Sequence, residues 1–164
     1  MKRISFVLFF VMVTCLGGFS QTFRVDSIYY KITSANTVET TYGTVKYTSD
    51  ITIPEQVSYN GNTYSVTGIG DSTFYDCRKL TSVTIPNSVT SIDSYAFYCC
   101  FELITITLPD SVKRIGKRVF SGCVKLSSIT IPNTVTSIGE RAFNSCSGLI
   151  SVTIPNSVKS IGPF

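Results

Sequence analysis

The sequence predicts a β-rich solenoid, on three observations: a segment that recurs, a spacing that stays constant, and apolar columns that keep register. The segment Val83 to Val89 returns as Ile106 to Val112, Ile129 to Val135 and Val152 to Val158. The prolines Pro86, Pro109, Pro132 and Pro155 therefore keep a constant 23-residue period. Leu80, Leu103, Leu126 and Leu149 align, as do Ile92, Ile115, Ile138 and Ile161, then Phe74, Phe97, Phe120 and Phe143, and finally Cys77, Cys100, Cys123 and Cys146. A fixed period in the twenties marks coils that bury their apolar sides only against neighbouring coils. Ile51 to Val57 is an earlier copy, its Pro54 preceding Pro86 by one period and a nine-residue insertion.

Residues 1–20 stand apart from this pattern. Lys2 and Arg3 form a basic start, Ile4 to Leu16 an apolar run, and Gly18 to Ser20 a small-x-small cleavage site, the pattern of a secretory signal peptide. The apolar run is shorter than the ~20 residues a membrane-spanning helix needs. No transmembrane segment is expected in the mature chain, and Cys15, preceded by Thr14, is a poor match to a lipid acceptor. Removing Lys2 and Arg3 lowers the formal net charge from +4 to +2, which argues against a nucleic-acid partner.

Residues 21–65 read as an N-terminal β cap. Phe23 and Val25, then Ile28, Tyr30 and Ile32, alternate as strands do, and a solenoid must cover its first coil and the open strand edge there. Asn60-Gly61 favours a type I′ turn, so a small protruding hairpin is expected between Ser58 and Ser65. Tyr29, Tyr30, Tyr42, Tyr47, Tyr59 and Tyr64 crowd this segment. They suit either packing of the cap or a platform for sugar rings.

Residues 66–164 read as the coils, the last one incomplete. In the coil from Leu80 the inward set is Leu80, Val83, Ile85, Val89, Ile92, Ala96, Phe97 and Cys100. Proline ends each strand because it has no N–H to give to a ladder. Gly70, Gly116, Gly139 and Gly162 share a column suited to a left-handed or helix-entry backbone. Ile138, Ala142 and Phe143 have the spacing of one short helical turn. Each 23-residue coil is thus expected to run strand, proline turn, short helical turn.

Leu80, Val83 and Ile85 fit the L-x-x-L-x-L strand signature of leucine-rich repeats. The run LTSVTIPNSVTSIDSYAFYCC, residues 80–100, resembles the BspA-like leucine-rich repeat family of bacterial surface proteins, and the similarity spans nearly all of the chain after residue 20. The resemblance implies a solenoid of α/β leucine-rich repeat type. It also implies adhesion to extracellular-matrix proteins such as fibronectin and fibrinogen, and attachment to cells. No residue-level binding motif carries over, because the matching positions are structural. Members of the family often have many more coils and a C-terminal anchoring segment, and from these residues alone neither is expected.

Several chemistries find no footing. Gly68, Ile69 and Gly70 begin a dinucleotide-binding pattern, yet its last glycine is missing and no βαβ unit surrounds it. The chain has no histidine, which removes the commonest general base, and its ten carboxylates form no paired column. No activated nucleophile, metal site or cofactor is expected, and the chain is not read as an enzyme. The cysteine column lies within bridging distance from coil to coil, but side chains that all point alike seldom offer the torsion a disulfide requires, so free thiols are expected. Cys99 shares its column with Asp76, Gly122 and Ser145 and should face outward, where pairing between molecules is conceivable.

Function then falls to the surface. Ser82, Thr105, Ser128 and Ser151 form one outward column, and Thr84, Thr107, Thr130 and Thr153 another, making a flat hydroxyl-rich sheet. Such a face can dock an extracellular protein or glycan, although threonine also forms strands well for its own sake. Ice binding by a regular threonine array is a third reading, weakened because one strict threonine column is common in such sheets. Lys113, Arg114, Lys117, Arg118 and Lys125 crowd one coil as a basic patch suited to an acidic protein or sulfated glycan. After Leu149 the last coil lacks its Ala-Phe pair and cysteine. Its open apolar edge is expected to fray or self-associate. The leading expectation is a secreted or surface-displayed adhesion module, and the alternative a structural spacer or self-assembling repeat fragment.

Overall fold

Alternation of apolar and polar residues sets the first three strands, β1 (Thr22–Val25), β2 (Ile28–Ile32) and β3 (Thr37–Thr41), which turn Phe23, Ile28, Tyr30 and Val38 into the core. The computed structural model describes residues 21–163. The expected signal peptide, residues 1–20, lies outside the described residues.

The strands β4 (Ile51–Thr52), β5 (Gln56–Tyr59) and β6 (Asn62–Ile69) follow. Asn60 and Gly61 take φ of 50° and 78° between the paired residues Tyr59 and Asn62, the backbone of a type I′ hairpin. The tip of the hairpin, Asn60 to Thr63, is exposed, while its base is built into the sheet. Ser65 of β6 pairs with Gln56 on one side and Thr37 on the other, Val57 and Tyr64 are buried, and Tyr59 stacks on Phe23 with ring centroids 4.1 Å apart. Apolar side chains on the hairpin found more burial in the sheet than in solvent.

The coils supply β7 (Val83–Thr84), β8 (Ser91–Ile92), β9 (Thr105–Thr107), β10 (Arg114–Ile115), β11 (Ser128–Thr130), β12 (Ser137–Ile138) and β13 (Ser160–Ile161). Among the described residues the long sheet has nine strands, in the order β1-β2-β3-β6-β8-β10-β12-β13, with β5 also on β6. From β6 to β13 it is parallel and in strict register, Ile69 beside Ile92, Ile115, Ile138 and Ile161, each one repeat from the next. A second side of the solenoid carries two separate pairs, β4 with β7 and β9 with β11. Between the two sides, the carbonyls of Pro86, Pro109, Pro132 and Pro155 each accept a hydrogen bond from a valine N–H further along the turn, as from Val89 to Pro86 at 3.1 Å and from Val112 to Pro109 at 3.0 Å.

The third side departs from the expected helical turn. No helix forms among the described residues. The N–H groups of Tyr95, Phe97 and Cys99 donate instead to the carbonyls of Lys117, Val119 and Ser121 in the next coil, at 2.8, 2.9 and 2.9 Å. A helix would need those donors for its own preceding carbonyls. Two left-handed residues per coil make this geometry. Ser72, Tyr95, Arg118 and Arg141 form one such column, and Asp76, Cys99, Gly122 and Ser145 the other. The expected left-handed column Gly70, Gly116, Gly139 and Gly162 serves a different purpose: a Cβ on Gly116, Gly139 or Gly162 would lie 2.7, 2.5 or 2.3 Å from the backbone of the preceding coil.

All eight side chains of the inward set are buried. Phe74, Phe97, Phe120 and Phe143 stack at 5.1, 5.4 and 5.7 Å, and Tyr47 closes the stack edge-on against Phe74 at 5.0 Å. The cysteines among the described residues are free, and three of the column hydrogen-bond backward: Cys100, Cys123 and Cys146 Sγ reach the carbonyls of Phe74, Phe97 and Phe120 at 3.1, 3.2 and 3.0 Å. Burial ends at the last coil, where Ile150, Ile154 and Ile161 are exposed. No helix of the described residues is long and apolar enough to cross a membrane.

Candidate functional site

Strand alternation that turns Val83, Ile106 and their column inward turns the hydroxyls outward. Thr84 on β7, Thr105 and Thr107 on β9, and Ser128 and Thr130 on β11 are exposed, and Ser82, just before β7, is half-buried. Thr105 lies in register with Ser128 and Thr107 with Thr130. The expected single flat sheet is not formed. It is split between β7 and β9, and Ser151 and Thr153, though exposed, lie outside any strand. Outer strands of two or three residues make few ladder bonds each, so pairing does not run unbroken from coil to coil.

The split creates a groove of about 340 Å³, lined by Ser82, Val83, Thr84, Ile85, Asn87, Thr105, Ile106, Thr107 and Pro109. Four of the eight expected hydroxyl residues meet there. Two polar residues of this face were missed. Thr52 on β4 is exposed beside Thr84, a position readable from the earlier copy of the repeat. Asn87 lines the groove and heads a column with Asp110, Asn133 and Asn156, all exposed. Asp50 borders the face, where hydrogen bonds from the Thr81 and Ser82 hydroxyls hold its carboxyl below the ordinary value.

The basic patch is largely neutralised. Arg114 pairs with Asp93 at 2.8 Å, Lys117 with Glu140 at 2.8 Å and Lys125 with Glu102 at 2.6 Å. Glu140 also holds Arg141 at 3.0 Å, and the hydrogen bond from Lys117 keeps its carboxyl below the ordinary value. Among the described residues Lys113 and Arg118 form no salt bridge. The partners were legible in the sequence, since Glu102 precedes Lys125 and Lys117 precedes Glu140 by one full coil.

The tyrosines divide. Tyr30, Tyr47 and Tyr64 are core residues, which removes them from a sugar platform; burial pushes the Tyr47 hydroxyl up to about 12. Tyr42 is 70% exposed and Tyr75 41%. Both line a second groove of about 330 Å³ with Val45, Lys46, Ser72 and Thr73. The Tyr75 ring is already sandwiched, with Tyr98 stacked at 5.1 Å and the Lys46 ammonium 5.4 Å from its centroid. Lys46 also donates to the Tyr75 carbonyl.

Comparison with known proteins agrees with this architecture. Residues 62–164 match the model of the BspA type leucine rich repeat region in six copies. A leucine-rich repeat protein from Bacteroides ovatus is 41% identical with a TM-score of 0.79, over 85% of this chain and 37% of that one. The T. pallidum leucine-rich repeat protein TpLRR is 32% identical with a TM-score of 0.72, over 88% of this chain and 62% of that one. A leucine-rich repeat protein from Bacteroides capillosus is 30% identical with a TM-score of 0.70, over 80% of this chain and 96% of that one. The chain thus spans less than two thirds of the length of the first two. Among curated proteins none matches. A family model covering more than half of the chain, on a solenoid whose side chains repeat coil by coil, places this protein in the BspA-type leucine-rich repeat family.

Proposed function

We propose that this chain is an extracellular adhesion module, exported by residues 1–20, capped by residues 21–65, and binding a protein or glycan through the hydroxyl face of the coils in 66–164. One observation carries the reading: an exposed, uncharged face of serine and threonine opens into a groove of about 340 Å³. Small hydroxyls exchange hydrogen-bond partners at little desolvation cost, which suits a surface that is wet when free and covered when bound. The neutralised basic patch ranks behind it, because ion pairs must be broken before Arg114, Lys117 or Lys125 can meet a partner.

The test is binding of immobilised mature chain to a panel of matrix proteins and glycans, beside a Thr107→Lys, Thr130→Lys variant. Saturable binding that the variant loses by tenfold or more is expected. A folded sample that binds nothing on the panel would end the adhesion reading. A second reading, a spacer that assembles through its last coil, is favoured by Ile150, which is 99% exposed beside exposed Ile154 and Ile161.

A further inference from the structure

Between β7 and β9 the fold leaves main-chain polar groups beside buried apolar side chains. The carbonyls of Ser82 and Thr84 accept hydrogen bonds from Ile51 and Ile53 at 3.1 and 3.0 Å. By strand alternation Val83 and Ile85 then aim their N–H and C=O groups the other way, toward β9. Among the described residues no backbone hydrogen bond joins residues 82–86 to 105–109. The last link is at the foot of the groove, from the Ile104 N–H to the Thr81 carbonyl at 3.3 Å.

The width of this seam selects among occupants. Some Cα atoms of β7 and β9 stay within 8 Å of each other, whereas a polypeptide strand inserted between them would hold its neighbours about 9.6 Å apart, two ladder spacings. A strand is too wide, and hydroxyl groups are not. The lining carries no charged side chain, and the residue after Pro109 is the exposed Asp110, so the seam offers an anion nothing. It offers hydroxyls at Ser82, Thr84, Thr105 and Thr107, an amide at Asn87 with both donors and acceptors, and an apolar floor of Val83, Ile85 and Ile106.

We infer that the seam is a binding site for a neutral oligosaccharide, whose hydroxyls bridge the unpaired main-chain groups and whose C–H faces lie on the apolar floor. The inference rests on the reading of the hydroxyl face as the adhesive surface. At about 340 Å³ the site sits at the small end of ligand clefts, ~300–1,000 Å³, and takes a short stretch of the chain rather than a whole polysaccharide.

The experiment is an amide NMR titration of the purified chain with cellohexaose, maltohexaose, mannohexaose and a heparin hexasaccharide, each to about 10 mM, above the millimolar range of a weak single site. Saturable shifts at Ser82 to Asn87 and Thr105 to Thr107 are expected with at least one neutral sugar and not with heparin. Asn87→Ala and Thr107→Val, both checked for an unchanged spectrum elsewhere, should each weaken binding tenfold or more. The inference is overturned if no neutral sugar shifts the seam, if heparin shifts it equally, or if both variants bind like the parent. Matrix-protein binding that Thr107→Lys, Thr130→Lys abolishes, with no sugar response, would leave adhesion standing and remove this site alone.

Discussion

Two glycine positions show how single residues set the coil. A Cβ on Gly139 would fall 2.5 Å from the Gly116 carbonyl carbon and the Lys117 nitrogen. Both are backbone atoms tied into the coil stack, so neither can move aside as a side-chain tip would. Gly139→Ala is therefore expected to destabilise by on the order of 2–3 kcal/mol, read from urea unfolding. Gly122, by contrast, takes φ of 81°, the value that usually demands glycine. Yet Asp76, Cys99 and Ser145 occupy the same column at φ of 57°, 57° and 58°, and the nearest obstacle to a Cβ is the Cys99 Sγ at 3.1 Å. Gly122→Ser should cost no more than about 1 kcal/mol. If Gly122→Ser proved as destabilising as Gly139→Ala, left-handed backbone would constrain position 122 as strongly as close approach between coils constrains position 139.

At the scale of elements, the inward columns were legible because a buried side chain must repeat with every coil, and the phenylalanine, leucine and cysteine columns do. The turn was not. Ile138, Ala142 and Phe143 have helical spacing, but helix formation also depends on where the intervening N–H groups point, and here they serve the neighbouring coil. Residues such as Tyr95 and Arg118 give no local sign of a left-handed backbone. The seam between β7 and β9 was equally hidden, since it depends on whether the main-chain groups of two coils meet and not on either coil's residues. Its polar lining was half visible, in the serine and threonine columns, and Asn87 was read only as part of a repeat. The last coil gives this scale its prediction. Ile154 is 40% and Ile161 45% exposed, and β13 has an unpaired edge among the described residues. If the chain assembles through this coil, sedimentation should show oligomers growing with concentration, and Ile154→Asp should return the sample to monomer. Oligomers that persist in the variant would place the contact elsewhere, and a parent that stays monomeric would set the spacer reading aside.

Across the whole molecule one core runs from the first strands to the last coil, and ionisable groups run with it. Burial pushes the thiols of Cys77, Cys100, Cys123 and Cys146 upward, Cys146 from an ordinary 9.0 to about 11. Burial likewise raises the hydroxyls of Tyr30 and Tyr47. A group whose folded value lies above its unfolded value favours the protonated folded state, so its contribution is fully present below the unfolded value. As pH rises past about 9 for the thiols and about 10 for the tyrosines, the unfolded chain sheds protons that the folded chain retains, and stability falls until the folded values are reached. The half-buried carboxylate Glu140 works at the other end, its lowered value contributing above the ordinary carboxylate range and lost in acid. Melting temperature under reducing conditions should therefore hold level from pH 6 to 8 and drop by on the order of 5–10 °C by pH 10.5. Cys123→Ala, a small apolar replacement in the column, should lower the plateau through lost packing while making the alkaline drop shallower. A parent whose melting temperature stays level to pH 10.5, or a Cys123→Ala drop as steep as the parent's, would mean that the buried column does not remain protonated while the fold is intact.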